Sequence, residues 1–281
     1  MSEILDNWTA GRGLPGVLVI DGHTHIGDWP QGTTYHSVEE AVEESAALMD
    51  ANGVDAACAM SGGYMMYGAD YRLGNDFLLA VCKGLPERII GFALVNPNDS
   101  RDAVLDELKR VHDEGVRCIK LINSYQNDYP GDGPNLMAVY EFAAGRNMLV
   151  FNHAWCNDVL ESIAAKFPQT DFVCGHYSNR YDPILKARPN VYSNIWSYGP
   201  LGWLDDAYRE VGAGKLLFGS DAFLNPMSVG IGPVVFAEIP DGEKRQVLGL
   251  TMARLLDKVG ALPAALKRAY PEIGGVRPKS R

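Results

Sequence analysis

The chain is short of positive charge: 25 Lys and Arg stand against 35 Asp and Glu, a formal net charge of -10. A nucleic acid or an anionic membrane surface needs clustered cations to displace counterions, so neither is expected as a partner. No run of about 18 apolar residues occurs, the least that spans a bilayer. Residues 1–16 are polar and acidic, without the basic-then-apolar order of a secretion signal, and a cytoplasmic location is expected. Cysteine is scarce and odd in number (Cys58, Cys82, Cys118, Cys156, Cys174), with no Cys-x-x-Cys pair. Several of these lie in apolar runs, where a reduced thiol behaves as a small hydrophobe, so core thiols are expected. There is no linker and no low-complexity stretch, because glycine and proline are spread through the chain. One domain over residues 1–281 is therefore expected, with 1–16 an N-terminal extension and 274–281 a frayed tail. A small-molecule substrate is the expected partner, and a homodimer is an admissible assembly.

What the chain has is alternation. Short apolar runs rich in β-branched residues begin near Val17, Val54, Ile89, Val116, Met148, Phe172, Val191 and Leu216, separated by longer helix-like segments. Their mean spacing of roughly 28 residues fits one strand, one helix and two short connections. Eight such parallel βα units predict an α/β fold, a single-domain (β/α)8 TIM barrel; a doubly wound open sheet is the rival. Ser37, Asn98-Asp99-Ser100 and Asn157-Asp158 read as helix starts, and Gly53 and Gly115 as stops. Loops that carry chemistry in a barrel sit where strands end, so those positions matter most.

Four of the six histidines and one aspartate fall there. His23 and His25 close the first run, and side chains two apart on a strand share a side. His153 closes the fifth run, His176 the sixth, and Asp221 follows the eighth. Each has a bland reading: a chance pair, a core histidine, a turn cap, an N-cap aspartate. Their joint placement at the ends of strands one, five, six and eight predicts a divalent-metal site instead. His36, in a polar loop, and His112, within a helix, lack that context.

The motifs Asp21-Gly22-His23-Thr24-His25, Asn75-Asp76, Pro86-Glu87-Arg88, residues 91–97, Gly115-Val116-Arg117-Cys118-Ile119-Lys120-Leu121, Asn152-His153, Gly175-His176 and Gly219-Ser220-Asp221 resemble the amidohydrolase superfamily, within it the amidohydrolase-related (amidohydrolase 2) branch of barrel enzymes. The resemblance covers nearly the whole chain. It implies that His23, His25, His153 and Asp221 hold one catalytic divalent ion, most often zinc, and that His176 faces the same pocket as a further ligand or as electrostatic catalyst. Two-metal members of the superfamily carry a carboxylated lysine on strand four; Lys120 lies in the matching strand, followed by Leu121-Ile122, which places it deep, where pairing with Asp221 or another acid is the structural alternative.

Such a site predicts hydrolysis of an amide, ester or lactone. A catalytic metal with an open position lowers the pKa of bound water to about 7 and polarises a carbonyl. Asp221 would take the water proton and return it to the leaving group, while His176 stabilises the oxyanion. The same branch also resembles decarboxylases of aromatic or unsaturated acids, which need a cation for a carboxylate and a wall for a ring. Arg180 offers the first; Trp155, Tyr177 and Trp196 offer the second; each also has a packing or pairing alternative, Arg180 with Asp182. A binding protein without turnover is the third reading, and a full set of site residues argues against it. Substrate choice is expected in residues 28–35, 61–73, 124–134 and 223–233, where no motif is readable.

Overall fold

In the computed structural model, residues 2–27, 37–62, 71–195, 202–222 and 225–274 are described. Eight strands form one sheet in the order of the chain: β1 (Ile20–Ile26), β2 (Ala56–Ser61), β3 (Ile89–Leu94), β4 (Cys118–Leu121), β5 (Leu149–Asn152), β6 (Phe172–Cys174), β7 (Val191–Asn194) and β8 (Leu216–Leu217). Every adjacent pair is parallel. The ring closes where β8 meets β1: Gly22 N–H donates to Phe218 O at 2.9 Å, Asp221 N–H to His23 O at 2.9 Å, and His25 N–H to Ala222 O. This closure decides for the (β/α)8 barrel and against the open sheet.

Two apolar layers account for the alternation. Val19, Ala57, Ile119, Val150, Phe172 and Leu216 belong to the layer under the surrounding helices. Ile20, Cys58, Phe92, Cys118, Leu149, Val173 and Leu217 fill the barrel itself, joined by Met252, Leu255 and Leu256 of the helix Thr251–Lys258. Fully buried strands of this kind read as continuous apolar runs, which is why the eight were visible in the sequence. The helix signals mostly translate into caps. Ser37 accepts from Glu40 N–H and Ser100 from Ala103 N–H, each cap worth about 1 kcal/mol. Gly53 ends its helix in the left-handed region at φ 65°.

Several boundaries differ from expectation. The first strand begins at Ile20, three residues past Val17, and runs to Ile26, with His23 and His25 in its upper half. The helix at Asn157 takes Cys156 as its N-cap, so Asn157 and Asp158 lie in its first turn. Residues 3–9 of the expected extension form a helix, Glu3–Thr9, capped by Ser2. Within the expected loop 223–233, Met227–Phe236 is a helix with Pro233 inside it. Of the thiols, Cys58, Cys118 and Cys174 are core, Cys82 is half-buried and Cys156 is exposed, since it caps a helix at the surface. His36, Trp196, residues 28–35 and 275–281 lie outside the described residues, as do parts of two other expected loops. Among the described residues no helix is long and apolar enough to cross a membrane.

Candidate metal centre

The site begins with an irregularity in β1. Ile20 pairs with Ala56 of β2, but Thr24 pairs with Ala59, so β1 carries one extra residue between Asp21 and Thr24. A bulge of one residue reverses which side chains face inward. Leu18 and Ile20 fill the barrel below it; above it the odd-numbered His23 and His25 take the inward side, with the His23 ring 4.8 Å from that of Phe151. The bulge is held by Asp21, whose Oδ1 accepts from His23 N–H at 3.1 Å and from Ser220 N–H at 3.0 Å. One carboxylate oxygen thus spans the seam between the first and last strands.

Opposite stands Asp221. Its Oδ1 is 3.1 Å from Nε2 of His25 and 3.5 Å from Nε2 of His23. Ligand atoms of His23, His25 and Asp221 all lie within 4.8 Å of one another, and all three residues are buried. Two further imidazoles extend this group. The His176 ring lies 5.2 Å from that of His23, and the His153 ring 4.6 Å from that of His176. His176 and Asp221 have left-handed backbones, with φ 54° and 60°. For residues with a Cβ this conformation costs on the order of 1 kcal/mol, and strain of that kind collects where side chains must be aimed.

The electrostatics suit a cation. Burial drives the His23 imidazole well below its ordinary range, and the nearby Lys120 charge adds to the effect. Burial likewise takes His153 down to about 3 and His176 down to about 4. Burial alone would raise the Asp221 carboxyl; the imidazoles of His23 and His25 more than reverse this and hold it below the usual carboxylate range. These four groups are therefore in their deprotonated, ligating forms at neutral pH. Nδ1 of His23 is buried with no hydrogen-bond partner among the described residues. Donor type, donor state and separation all fit one divalent ion.

Lys120 lies beside this group, fully buried, with Nζ 3.3 Å from Nε2 of His23 and 4.1 Å from the centroid of the Phe151 ring. Burial lowers its ammonium to about 7, against the pull of the Asp221 charge. Of the four residues expected to bind substrate, Lys120 is thus beside the group, while Trp155, Tyr177 and Arg180 have other partners. Trp155 is in the core, its indole donating to Tyr140 Oη at 3.3 Å. Tyr177 donates its hydroxyl to Asp182 at 2.6 Å and packs on Trp203. Arg180 is exposed and donates to Tyr181 Oη at 2.6 Å, leaving Asp182 to Tyr177. Two residues at the site carried no assigned role in the sequence: Asp21, which stood inside a motif, and Tyr125, whose ring lies 4.9 Å from that of His153. Asp21 was legible as the acid two residues before a His-x-His; Tyr125 had no signal beyond following the fourth strand.

A closed β/α barrel with a buried His-His-Asp group at one end is the framework of a metal-dependent enzyme. A family model described as amidohydrolase matches residues 20–258, and the chain belongs to this family. No curated protein sequence matches it. Solved structures with the same fold include 5-carboxyvanillate decarboxylase from Sphingomonas paucimobilis, at TM-score 0.68 and 16% identity over 86% of this chain and 99% of that one. Another is 4-oxalomesaconate hydratase from Rhodopseudomonas palustris, at TM-score 0.71 and 14% identity over 89% and 99%. A third is a dihydroxybenzoic acid decarboxylase from Polaromonas sp. with bound manganese and the inhibitor 2-nitroresorcinol, at TM-score 0.68 and 15% identity over 86% and 97%.

Proposed function

We propose that the chain is a metal-dependent hydrolase that cleaves an amide, ester or lactone bond of a small molecule. The observation that carries this reading is the ionised, buried Asp221 set against two inward-facing imidazoles. His23, His25 and Asp221 would hold one divalent ion, with His153 and His176 facing the same space. Zinc suits a site of imidazole and carboxylate donors. Such an ion supplies Lewis acidity toward a carbonyl oxygen and acidifies water.

The chain's own groups do the rest. Asp221 accepts the proton of the attacking water at a carboxylate oxygen and returns it to the departing nitrogen or oxygen. His176, neutral at working pH, donates an N–H to the developing oxyanion. Lys120 presents a proton donor of nearly neutral pKa from below. The acid balance of the chain supports a small-molecule substrate rather than nucleic acid or membrane.

Decarboxylation is the second reading. The decarboxylases among structures of the same fold favour it, and a buried lysine offers the cation that a carboxylate requires. Arg180, held on Tyr181 at the surface, supplies less support than its position in the sequence promised.

Elemental analysis of protein purified without chelator is expected to give about one equivalent of zinc or a similar ion per chain, as a single donor set with one open position requires. His23→Ala with His25→Ala should lose it and keep the barrel's circular dichroism. Lactones, esters and amides are then screened beside aromatic acids. Carbon dioxide release without water consumption would replace the hydrolase reading by the second one, and full activity in metal-free protein would remove both.

A further inference from the structure

A row of rings leads from the metal centre to the surface. His25 and His23 have centroids 5.1 Å apart, His23 and His176 5.2 Å, His176 and His153 4.6 Å, and His153 and Tyr125 4.9 Å. His23 is fully buried, His153 and His176 are half-buried, and Tyr125 is 48% exposed. The row therefore runs from the donors to solvent, and Tyr125 is its outer end.

Tyr125 is exposed but its backbone is pinned. It closes the short turn Asn123–Tyr125, directly after β4, with Tyr125 N–H donating to Ile122 O at 2.9 Å. On one side Asn152, at the end of β5, donates to Asn123 Oδ1 at 3.0 Å, and Asn123 donates in turn to Tyr129 O. On the other, Gln126 donates to Val95 O at 2.9 Å and receives Asn98 Nδ2 on its carbonyl at 2.8 Å. Asn152 and Asn98, from two neighbouring segments, and the turn's own Asn123 and Gln126 fix it. These bonds hold the turn and not the ring, so Tyr125, 48% exposed, keeps a face in solvent at a fixed place beside His153. A pre-ordered, half-exposed aromatic face beside a reactive centre is what recognition of a planar group requires, since little entropy is lost when a ligand settles on it.

We propose that Tyr125 is a specificity-determining residue: its ring receives a flat apolar or aromatic group carried close to the reacting carbonyl of the substrate. The inference rests on the metal-centre reading above and adds the substrate class. A substrate whose carbonyl reaches the His23, His25 and Asp221 donors along this row has its acyl substituent alongside His153 and Tyr125.

The test uses hydroxamates, which chelate a protein-bound zinc ion without turnover. Zinc-loaded full-length protein is titrated calorimetrically with acetohydroxamate, benzohydroxamate and phenylacetohydroxamate. At least one aryl compound is expected to bind about tenfold more tightly than acetohydroxamate. In Tyr125→Ala that ratio should fall to about two or less, and in Tyr125→Phe it should stay within about twofold of wild type, as expected if the ring supplies the contact. Zinc content and melting temperature identify any variant that has not folded, and Tyr125→Leu, which keeps apolar bulk without the ring, then takes the place of Tyr125→Ala. Equal binding of aryl and methyl compounds by wild type, or an aryl advantage that survives in Tyr125→Ala, overturns the role of Tyr125. Failure of acetohydroxamate itself to bind the zinc-loaded protein removes the metal-centre reading and this inference with it.

Discussion

Oδ1 of Asp221 stands 3.1 Å from Nε2 of His25, although one residue follows the last strand of the barrel and the other lies in the first. The contact exists because the backbones of those two strands are joined by Asp221 N–H to His23 O and by His25 N–H to Ala222 O. The metal-competent group is thus assembled by closure of the sheet, and its chemistry can be probed one residue at a time.

Asp221→Asn keeps the shape of the side chain and removes its charge. Turnover should fall by about 100-fold or more, the scale of a lost general base, and metal affinity should fall with it. Steady-state kinetics on metal-saturated protein checks this. A variant that retains turnover would show that another group moves the proton.

Asp21→Ala leaves two buried donors, the N–H groups of His23 and Ser220, without their acceptor. Each such orphan costs about 1–3 kcal/mol, and release of a buried carboxyl offsets part of it, so a net loss of about 2 kcal/mol in urea unfolding is expected. Asp21→Asn, which keeps an oxygen in place, should recover most of it. Equal destabilisation by both variants would mean that the two hydrogen bonds are not what holds the bulge.

The histidines predict an acid dependence of the metal-free fold. Burial brings His176 down to about 4 and His153 down to about 3, whereas in the unfolded chain both titrate near 6.5. Between pH 6.5 and about 4 the unfolded state therefore binds more protons at these residues, and their contribution to stability is lost as pH falls through that window. Asp21 has the opposite sign: raised to about 7 by burial, it holds a proton in the folded state that the unfolded chain has released, so its contribution declines as pH rises from about 4 to 7. Urea unfolding from pH 7.5 to 4.5 is expected to show less acid loss in His153→Asn with His176→Asn than in wild type. Parallel curves would contradict the assignment.

Gly175 sits where strand five delivers His153. A Cβ on it would lie 2.9 Å from His153 O, 3.1 Å from the Phe151 ring and 3.2 Å from Asn152 O. Two of these neighbours are backbone, so Gly175→Ala must displace the end of β5, at a cost of about 1–3 kcal/mol. Thermal melting should show the loss, and metal affinity should drop in the same variant because His153 moves with the strand. An unchanged melt would show that the strand end has room to give.

The strands were legible because both faces of each are apolar, so eight uniform runs stood out against amphipathic helices. The histidines and Asp221 were legible because polar residues at the ends of such runs have nothing to satisfy them in a core. What the sequence hid depends on contacts between segments far apart in the chain. The extra residue in β1 follows from pairing with β2, and Val17 through Ile20 look alike in period whether or not they are hydrogen bonded. Trp155 and Tyr177 also follow strand ends, yet Tyr140 and Asp182 claim their polar atoms. Arg180 is drawn to the neighbouring Tyr181. Tyr125 could not be distinguished from any other loop tyrosine until its turn was seen tied to Asn152 and Val95 through Asn123 and Gln126.

The seam between the first and last strands has one more consequence. Asp21 and Ser220 are 199 residues apart, and the donors His23, His25 and Asp221 straddle the same gap. Shutting so long a loop is entropically expensive but only logarithmically so, and a ligand that binds only the closed ring adds RT ln(1 + [L]/Kd) to its stability. A cation bound there would act as a clasp on the whole polypeptide, so that stripping it would loosen the seam first, and raising the free metal concentration would add to the stability of the closed ring.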